Sequence, residues 1–287
     1  PEPEPEPNSV DVNGVGDISH PKSVVEYKKL FAVLGITTEG LRGIRAFRAC
    51  HEKYLMDQKG LEIKFDFPVV SCESDGEWVL VQSTKGNEVF GKKVIVCNGA
   101  EFKNLYPEMF ANSDLQVSKL QMMQTKPQEN YNLKGSILTG WSIRRYEAFH
   151  ECPSFAGIKE NEPKDSLQKK WGVHILFKQA MDGSVILGDS HQYADANRVE
   201  DLGYDLDMDI DDFMIEEAKK VIDLPTYQIQ KRWYGIYSQC KNSDIFQKTI
   251  DNNIHVVTGI GGKGMTGSAG FAKKSIATIF NKQKINL

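Results

Sequence analysis

The residues best suited to chemistry lie near the C-terminus, in "IHVVTGIGGKGMTG", Ile254 to Gly267. A short apolar run enters a glycine cluster, and a helical pattern, Gly264 to Phe280, leaves it. Gly259, Gly261 and Gly264 satisfy G-x-G-x-x-G between a strand and a helix, the local setting of a dinucleotide fingerprint. Glycines let backbone come close to a flat ligand. The first N–H groups of the following helix have no intrahelical partner and carry the positive end of its dipole, so this turn favours an anion. Lys263 adds charge there. The competing reading is that the glycines only permit tight packing of strand on helix. A self-contained Rossmann unit would need a second parallel strand and an acidic residue about 20 positions on. No Asp or Glu follows Gly264. A second glycine pair, Gly14 and Gly16, is weaker, because no strand precedes it and Pro21 follows too soon.

Around this turn the chain divides by period. "PEPEPEPNS" reads as an extended, solvated tail over residues 1–20. Residues 21–34 have apolar residues at helical spacing, and "GLRGIRAFRACHEKYLMDQKG" reads as a second helix ending near Gly60. From Leu61 the period becomes two. "LEIKFDF", "EWVLVQST" and "EVFGKKVIVCNGA" read as one strand followed by a hairpin, with turns at "DGEW" and "KGNE". The apolar run ending in "CNGA" reads as a strand buried on both faces. Residues 115–240 hold five further strand candidates: "LQVSKLQMMQT", "GSILTGW", "GVHILFKQ", "GSVILGDSHQY" and "QKRWYGIYSQ". A weak helix falls within 161–171 and a better one at Asp211 to Ile222. A hairpin through Asp182-Gly183 is expected. This region reads as a largely antiparallel sheet carrying helices.

The totals exclude some classes. The chain has 287 residues, 40% apolar and 26% charged, with a formal net charge of −4. That is an ordinary globular composition and a poor match to nucleic-acid binding. No apolar run approaches the roughly 20 residues that span a bilayer. Five scattered cysteines without a Cys-x-x-Cys pair read as reduced thiols of a cytoplasmic protein. No metal site is expected, since zinc ligands need closer spacing.

The segment "VVTGIGGKGMTGSAGFAKKSI" resembles the C-terminal flavin-binding segment of FAD-dependent oxidoreductases of the D-amino acid oxidase superfamily, which includes glycine and sarcosine oxidases. "KKVIVCNGAEFKNLYPEMF" resembles the strand-turn that lies beside FAD in that superfamily. "KLQMMQTKPQ", "RRYEAFHECPSF", "GVHILFKQAMDGSVILGDSHQY" and "RWYGIY" resemble, more narrowly, a bacterial subfamily associated with phosphonate metabolism. The resemblance covers roughly Leu41 to Phe280. It implies an α/β (α+β) fold with a partial FAD-binding doubly wound domain, residues 21–112 and 245–287, and a largely antiparallel substrate domain, 113–244.

The resemblance also implies FAD contact by Asn98, Gly99, Ala100, Gly261, Gly262, Lys263, Gly264, Met265 and Thr266. It implies oxidation of a small-molecule amine, narrowly an aminophosphonate, by hydride transfer to flavin, with no nucleophile or metal required. A reduced flavin is an anion that the glycine turn suits. His191 could bond a phosphonate or amine, or be structural. Tyr237 stands near where amino-acid oxidases of this fold place a carboxylate-clamping Arg, and a Tyr cannot make that bidentate pair. Lys119, Arg144 and Arg145 could meet a dianionic head group, or be surface charges. Tyr146 and Trp233 are expected in the core. The family's own N-terminal G-x-G-x-x-G is missing before Leu41. A partner chain supplying that half is therefore one expectation. A catalytically inactive remnant or interaction module is the alternative function.

Overall fold

The computed structural model describes residues 52–59 and 61–280. The expected tail and the helix at 21–34 lie outside them, as does most of the helix expected before Gly60, whose residues 52–59 (α1) are helical. The fold is mixed α/β with three sheets. β1 (Val69–Ser74), β2 (Val79–Ser83) and β3 (Glu88–Gly91) form an antiparallel meander. β4 (Val94–Val96) joins a different sheet, in the order β11 (Phe246–Ile250), β12 (Ile254–Thr258), β4. The largest sheet has the order β10 (Ile229–Cys240), β5 (Leu115–Pro127), β8 (Ser184–Gly188), β7 (Leu176–Gln179), β6 (Ser136–Leu138), and β9 (Gln192–Asp195) also pairs with β5. Short helices α2 (Pro107–Ala111), α3 (Gly140–Ile143), α4 (Phe155–Glu160) and α5 (Leu167–Lys170) punctuate the chain. Two longer ones follow, α6 (Met208–Lys219) and α7 (Gly264–Ile279).

β5 is the strand on which both cores meet. Its odd-numbered residues share one face, because successive strand residues alternate sides. On that face Leu115 and Val117 pack with Val79, Phe110, Ile254 and Val256, while Met123 packs with Phe177, Leu187, Ile210 and Met214. Between the two apolar ends the same face carries Lys119 and Gln121, both fully buried. They hold the segment that leads into α6. The Gln121 side chain receives the Asp207 N–H (2.7 Å) and donates to Asp207 O (2.9 Å) and Asp211 Oδ1 (2.8 Å). Asp211 is buried on α6 and takes the Arg232 Nε–H from β10 at 3.0 Å. α6 itself follows from its pattern. Asp207 caps it by accepting from Asp209 N, and Ile210, Met214 and Ala218 line one buried face.

Several expectations are corrected. The first strand starts at Val69, not at Leu61, because Asp66 takes a positive φ of 54° and Pro68 cannot donate to a ladder. "EVFGKKVIVCNGA" is two strands in two sheets, broken at Lys92-Lys93, so the hairpin is a three-stranded meander and β4 lies elsewhere. β4 is an edge strand with Ile95 36% exposed, not one buried on both faces. "GSVILGDSHQY" likewise splits into β8 and β9. Tyr146 is exposed and Trp233 only half-buried, so neither is core.

The Asp211 carboxylate joins β5, α6 and β10, and its loss leaves one buried N–H of Gln121 without an acceptor. Asp211→Ala is expected to destabilise the fold by about 2–3 kcal/mol, the usual loss for hydrogen bonds to a charged group. Urea unfolding followed by circular dichroism measures this. A change below about 0.5 kcal/mol would show that α6 is held by its apolar face alone.

Candidate functional site

β12 and β4 run parallel, with Ile254, His255 and Val256 opposite Val94, Ile95 and Val96. The turns after them therefore leave neighbouring strands on the same side. Gly99 has φ +60°, and its carbonyl accepts from Thr258 Oγ1 at 2.6 Å and Ser238 Oγ at 2.8 Å. Those two hydroxyls come from β12 and β10, so one carbonyl ties the first turn to the second. Asn98 Nδ2 donates to Glu101 O, while its Oδ1 is buried without a partner. Ala100 is partly buried against the adjoining core.

In the second turn Gly259 and Gly261 have φ of +77° and +67°. A Cβ on Gly259 would lie 2.5 Å from Leu115 Cδ2, so only glycine fits. Gly261–Lys263 form a single 3₁₀ turn that runs into α7, whose first turn contains Gly264, Met265 and Thr266. A Cβ on Gly262 would meet only the Tyr237 hydroxyl, at 3.8 Å. A cavity of about 600 Å³ opens here, bordered by Gly259–Lys263, Arg145, Tyr193 and Gln239. The second turn thus presents open backbone beside a cavity, a fit for a flat polar cofactor, and the first turn is tied to it through the Gly99 carbonyl.

Tyr193, Tyr237 and Gln239 reach this region from one face. Tyr237 and Tyr193 both pair with Ser118, and Gln239 with Gln116, on the even-numbered side of β5. The Tyr237 hydroxyl lies 3.1 Å from His191 Nε2, and His191 Nδ1 lies 3.2 Å from Gly172 O. A carbonyl can only accept, so Nδ1 carries the proton and Nε2 accepts from Tyr237. Burial pushes the His191 pKa down to about 3. The neighbouring His174 stands edge-on to it, with ring centres 4.7 Å apart, and its Nδ1 accepts from Arg145 Nη1 at 3.0 Å. Burial, with the Arg145 charge added, lowers the His174 pKa despite Asp189. Asp189 is 3.7 Å from His174 Nδ1 and 3.8 Å from His191 Nε2, and its Oδ1 has no hydrogen bond. Burial raises the pKa of both Tyr193 and Tyr237.

His174, Asp189 and His191 bring ligand atoms within 4.8 Å of one another, residue types that suit a metal. Arg145 opposes that use. It donates into the His174 nitrogen nearest Asp189, where a metal would need the lone pair, and it brings a positive charge of its own.

The other candidate cations are placed differently. Lys119 is buried, and its ammonium donates to the carbonyls of Leu202 (2.9 Å), Gly203 (3.3 Å) and Asp205 (2.5 Å), which fills its three donors. It anchors the segment before α6 and has no donor left for a substrate. Arg144 bonds the buried Glu162 at 3.0 Å and lies over Trp141, away from the cavity. Lys263 is paired with Asp244 at 2.8 Å and Glu147 at 3.2 Å. Burial opposes its charge, but the two carboxylates outweigh this and raise its pKa. Its charge is balanced, not offered to an anion. Residue-level reading missed His174, Asp189 and Tyr193. A signal existed for two of them. A hairpin turning at Asp182-Gly183 puts residues 174 and 189 opposite each other, and their backbones exchange two 2.8 Å hydrogen bonds.

This arrangement, parallel strands feeding two turns beside an antiparallel sheet, is similar to the folds of FAD-dependent oxidases. It is similar to glycine oxidase from Geobacillus kaustophilus (TM-score 0.55, 11% identity, 81% of this chain and 53% of that one). It is similar to L-proline dehydrogenase from P. horikoshii (0.57, 14%, 85% and 56%) and to iminodiacetate oxidase from Chelativorans sp. BNC1 (0.55, 13%, 85% and 56%). The chain thus spans little more than half the length of each. No curated protein matches the sequence. The family model described as FAD dependent oxidoreductase, DAO, matches residues 51–277, and the chain belongs to that family. Its members are flavoproteins that bind FAD. No helix among the described residues is long and apolar enough to cross a membrane.

The buried neutral His191 makes stability depend on pH. Its folded pKa lies below the ordinary 6.5. As pH falls from about 6.5 toward 3, the unfolded chain takes up a proton that the folded chain does not. The fold therefore loses stability with acid, at up to about 1.4 kcal/mol per pH unit from this residue. His191→Gln is expected to flatten the profile by about that slope between pH 6 and 4. Chemical unfolding of both proteins across that range measures it. Parallel profiles would show that His191 protonates freely in the fold.

Proposed function

We propose that the chain forms the substrate side and part of the cofactor side of an FAD-dependent oxidoreductase that oxidises a small-molecule amine, with an aminophosphonate as the narrower candidate. The observation that carries the reading is that two distant turns, 97–100 and 259–266, are tied together through the Gly99 carbonyl, and that the second borders a cavity shared with Arg145 and Tyr193. Asn98, Gly99 and Ala100 would hold the cofactor from one turn. Gly261, Gly262, Gly264, Met265 and Thr266 would hold it from the other. The division into residues 21–112 with 245–287 on the cofactor side, and 113–244 on the substrate side, is part of the same proposal.

Bound FAD would supply the hydride acceptor for oxidation at the carbon that bears the amine. The chain's own residues bind, orient and shield. Tyr237 and Tyr193 form a wall on one face of the sheet. His191 fixes the Tyr237 hydroxyl by accepting its proton in a hydrogen bond. The Gly262 backbone stays open beside that hydroxyl. The aminophosphonate reading draws on the resemblance of the motifs around Lys119, Arg144, His191 and Tyr237. A separate chain supplying further cofactor contacts belongs to the same proposal.

The test is absorption of the purified chain after incubation with FAD and desalting. The expected result is retained flavin bands that bleach anaerobically with an amine. A colourless protein that stays colourless at high FAD would overturn cofactor binding by this chain. Gly262→Ala sharpens the test, because a methyl there meets no backbone and its φ is not left-handed. The variant is expected to melt within about 2 °C of the parent and to bind FAD about tenfold more weakly, since filling a contact surface costs about 1–3 kcal/mol.

A further inference from the structure

We infer that His174, Asp189 and His191 form a binding site for one divalent transition-metal ion of the zinc class, which competes with Arg145 for the cluster. The inference stands apart from the amine-oxidising reading, since it needs only the sheet that carries the three residues. The hairpin brings together residues that the sequence spaces too widely for a zinc motif. Their ligand atoms lie within 4.8 Å of one another. Asp189 Oδ1 is 3.7 Å from His174 Nδ1, and Asp189 Oδ2 is 3.8 Å from His191 Nε2. Ligands of a tetrahedral zinc ion stand about 3.3–3.5 Å apart, so shifts of under about 1 Å per side chain close the triangle. Two imidazoles and one carboxylate suit Zn2+, whereas Mg2+ and Ca2+ prefer oxygen throughout.

Each histidine already has a lone pair on the nitrogen nearest Asp189. His191 Nδ1 donates to Gly172 O at 3.2 Å, so Nε2 carries the lone pair. A ligating histidine commonly anchors its other ring nitrogen on a carbonyl in this way. His174 Nδ1 accepts from Arg145, so the lone pair is there. Asp189 Oδ1 is buried and has no hydrogen-bond partner. The backbone holds all three residues in place. His174 and Asp189 exchange two 2.8 Å hydrogen bonds, and His191 N donates to Trp171 O at 2.9 Å. A Cβ on Gly172 would lie 2.8 Å from His191 Cβ, so that glycine admits His191 to the cluster.

Arg145 is the obstacle. It reaches His174 through an N–H at 3.0 Å, and among the described residues no carboxylate lies within ion-pair distance of it. It is half-buried and borders the cavity, so it can leave the cluster without entering apolar core. The metal brings two charges where the guanidinium brings one, and it engages Asp189 and both rings together. The Tyr237 hydroxyl must also release His191 Nε2, from which it stands 3.1 Å. That hydroxyl is the group a Cβ on Gly262 would meet, at 3.8 Å. Metal occupancy is thereby coupled to the wall of the cavity, and zinc at the cluster would regulate what the cavity holds.

The experiment is a calorimetric titration of the purified chain with Zn2+ alone, with Mg2+ as the control, for the wild type, Asp189→Asn, His191→Gln and Arg145→Met. The melting temperature of each protein without metal is recorded alongside. Nitrogen NMR of the histidine rings identifies the ligand atoms. The wild type is expected to bind one Zn2+ at this cluster and no Mg2+. His174 Nδ1 and His191 Nε2 should shift on zinc binding, and the other histidine rings should not. Asp189→Asn and His191→Gln should each weaken zinc by about tenfold or more. Arg145→Met should tighten it by about tenfold or more, because the competing charge is gone. A purely structural pair of histidines gives no such gain. If Asp189→Asn or His191→Gln fails to fold, the ring-nitrogen shifts and the Arg145→Met change decide. No zinc binding by the wild type, or zinc binding indifferent to both Asp189→Asn and His191→Gln, overturns the inference. An equal response to Mg2+ overturns the zinc class. Unchanged or weaker zinc binding by Arg145→Met overturns the competition.

Discussion

The alternation of β5 is the constraint on which the rest of the structure depends. A strand shows successive residues to opposite sides, so Leu115 to Thr125 must divide its work between two faces. The odd-numbered face is entirely buried. Its apolar ends serve two different cores, and its polar centre, Lys119 and Gln121, fixes the segment that carries α6. The even-numbered face is left to the site. Ser118 and its partners Tyr193 and Tyr237 stand there, with β9 on one side of β5 and β10 on the other. A slip of one residue in the β5–β10 ladder would send Tyr237 into the core and Ser238 into the cavity. It would also remove the Ser238 hydroxyl from Gly99 O. The ladder therefore sets the Tyr193–Tyr237 face and its attachment to the Gly99 turn in a single register.

The electrostatics follow from that division. Burying a charge is costly unless it is paired or bonded. Lys119, Arg144 and Lys263 obey this rule with partners supplied by the chain. Lys119 shows how a cation can be satisfied without any acid, by backbone carbonyls at the end of a 3₁₀ turn. The same rule explains why the histidines beside the site are neutral. Both are buried, and each meets a group that favours the uncharged ring. His191 accepts from a phenol and His174 from a guanidinium. Two neutral imidazoles and one carboxylate around an arginine leave the positive charge at the cavity edge and the hydrogen-bond acceptors behind it.

Much of the sheet was legible in the sequence, and the reason is local. Period-two runs around Val117, Phe177 and Trp233 become β5, β7 and β10. The Asp182-Gly183 turn becomes a hairpin with Gly183 at φ +79°. The glycine turn was legible too, since backbone conformations that demand glycine leave a mark on the sequence. β4 was misread because an apolar run of three residues says nothing about which edge it will occupy. β11 was missed because its alternation is weak, with Gln247, Lys248 and Thr249 in succession. The roles of the cations were illegible for a different reason. Whether Lys119 is free depends on where residues 202–205 lie, some 83 to 86 positions away. Choosing between Arg144 and Arg145 depends on which of two adjacent side chains finds Glu162 and which finds His174. Neither fact has a local pattern.

That last distinction has a physical basis that reaches beyond these two residues. Adjacent arginines leaving a single helical turn must point in different directions, so an "RR" pair divides its charges between two environments. Here Arg144 goes to a buried glutamate that would be costly to leave unpaired, and this fixes the α3 turn against the segment around residue 162. With that turn fixed, Arg145 meets the His174 ring nitrogen, and among the described residues no carboxylate lies within ion-pair distance of it. One arginine is spent on a buried ion pair, and its neighbour stands on a histidine at the border of the cavity beside the second glycine turn.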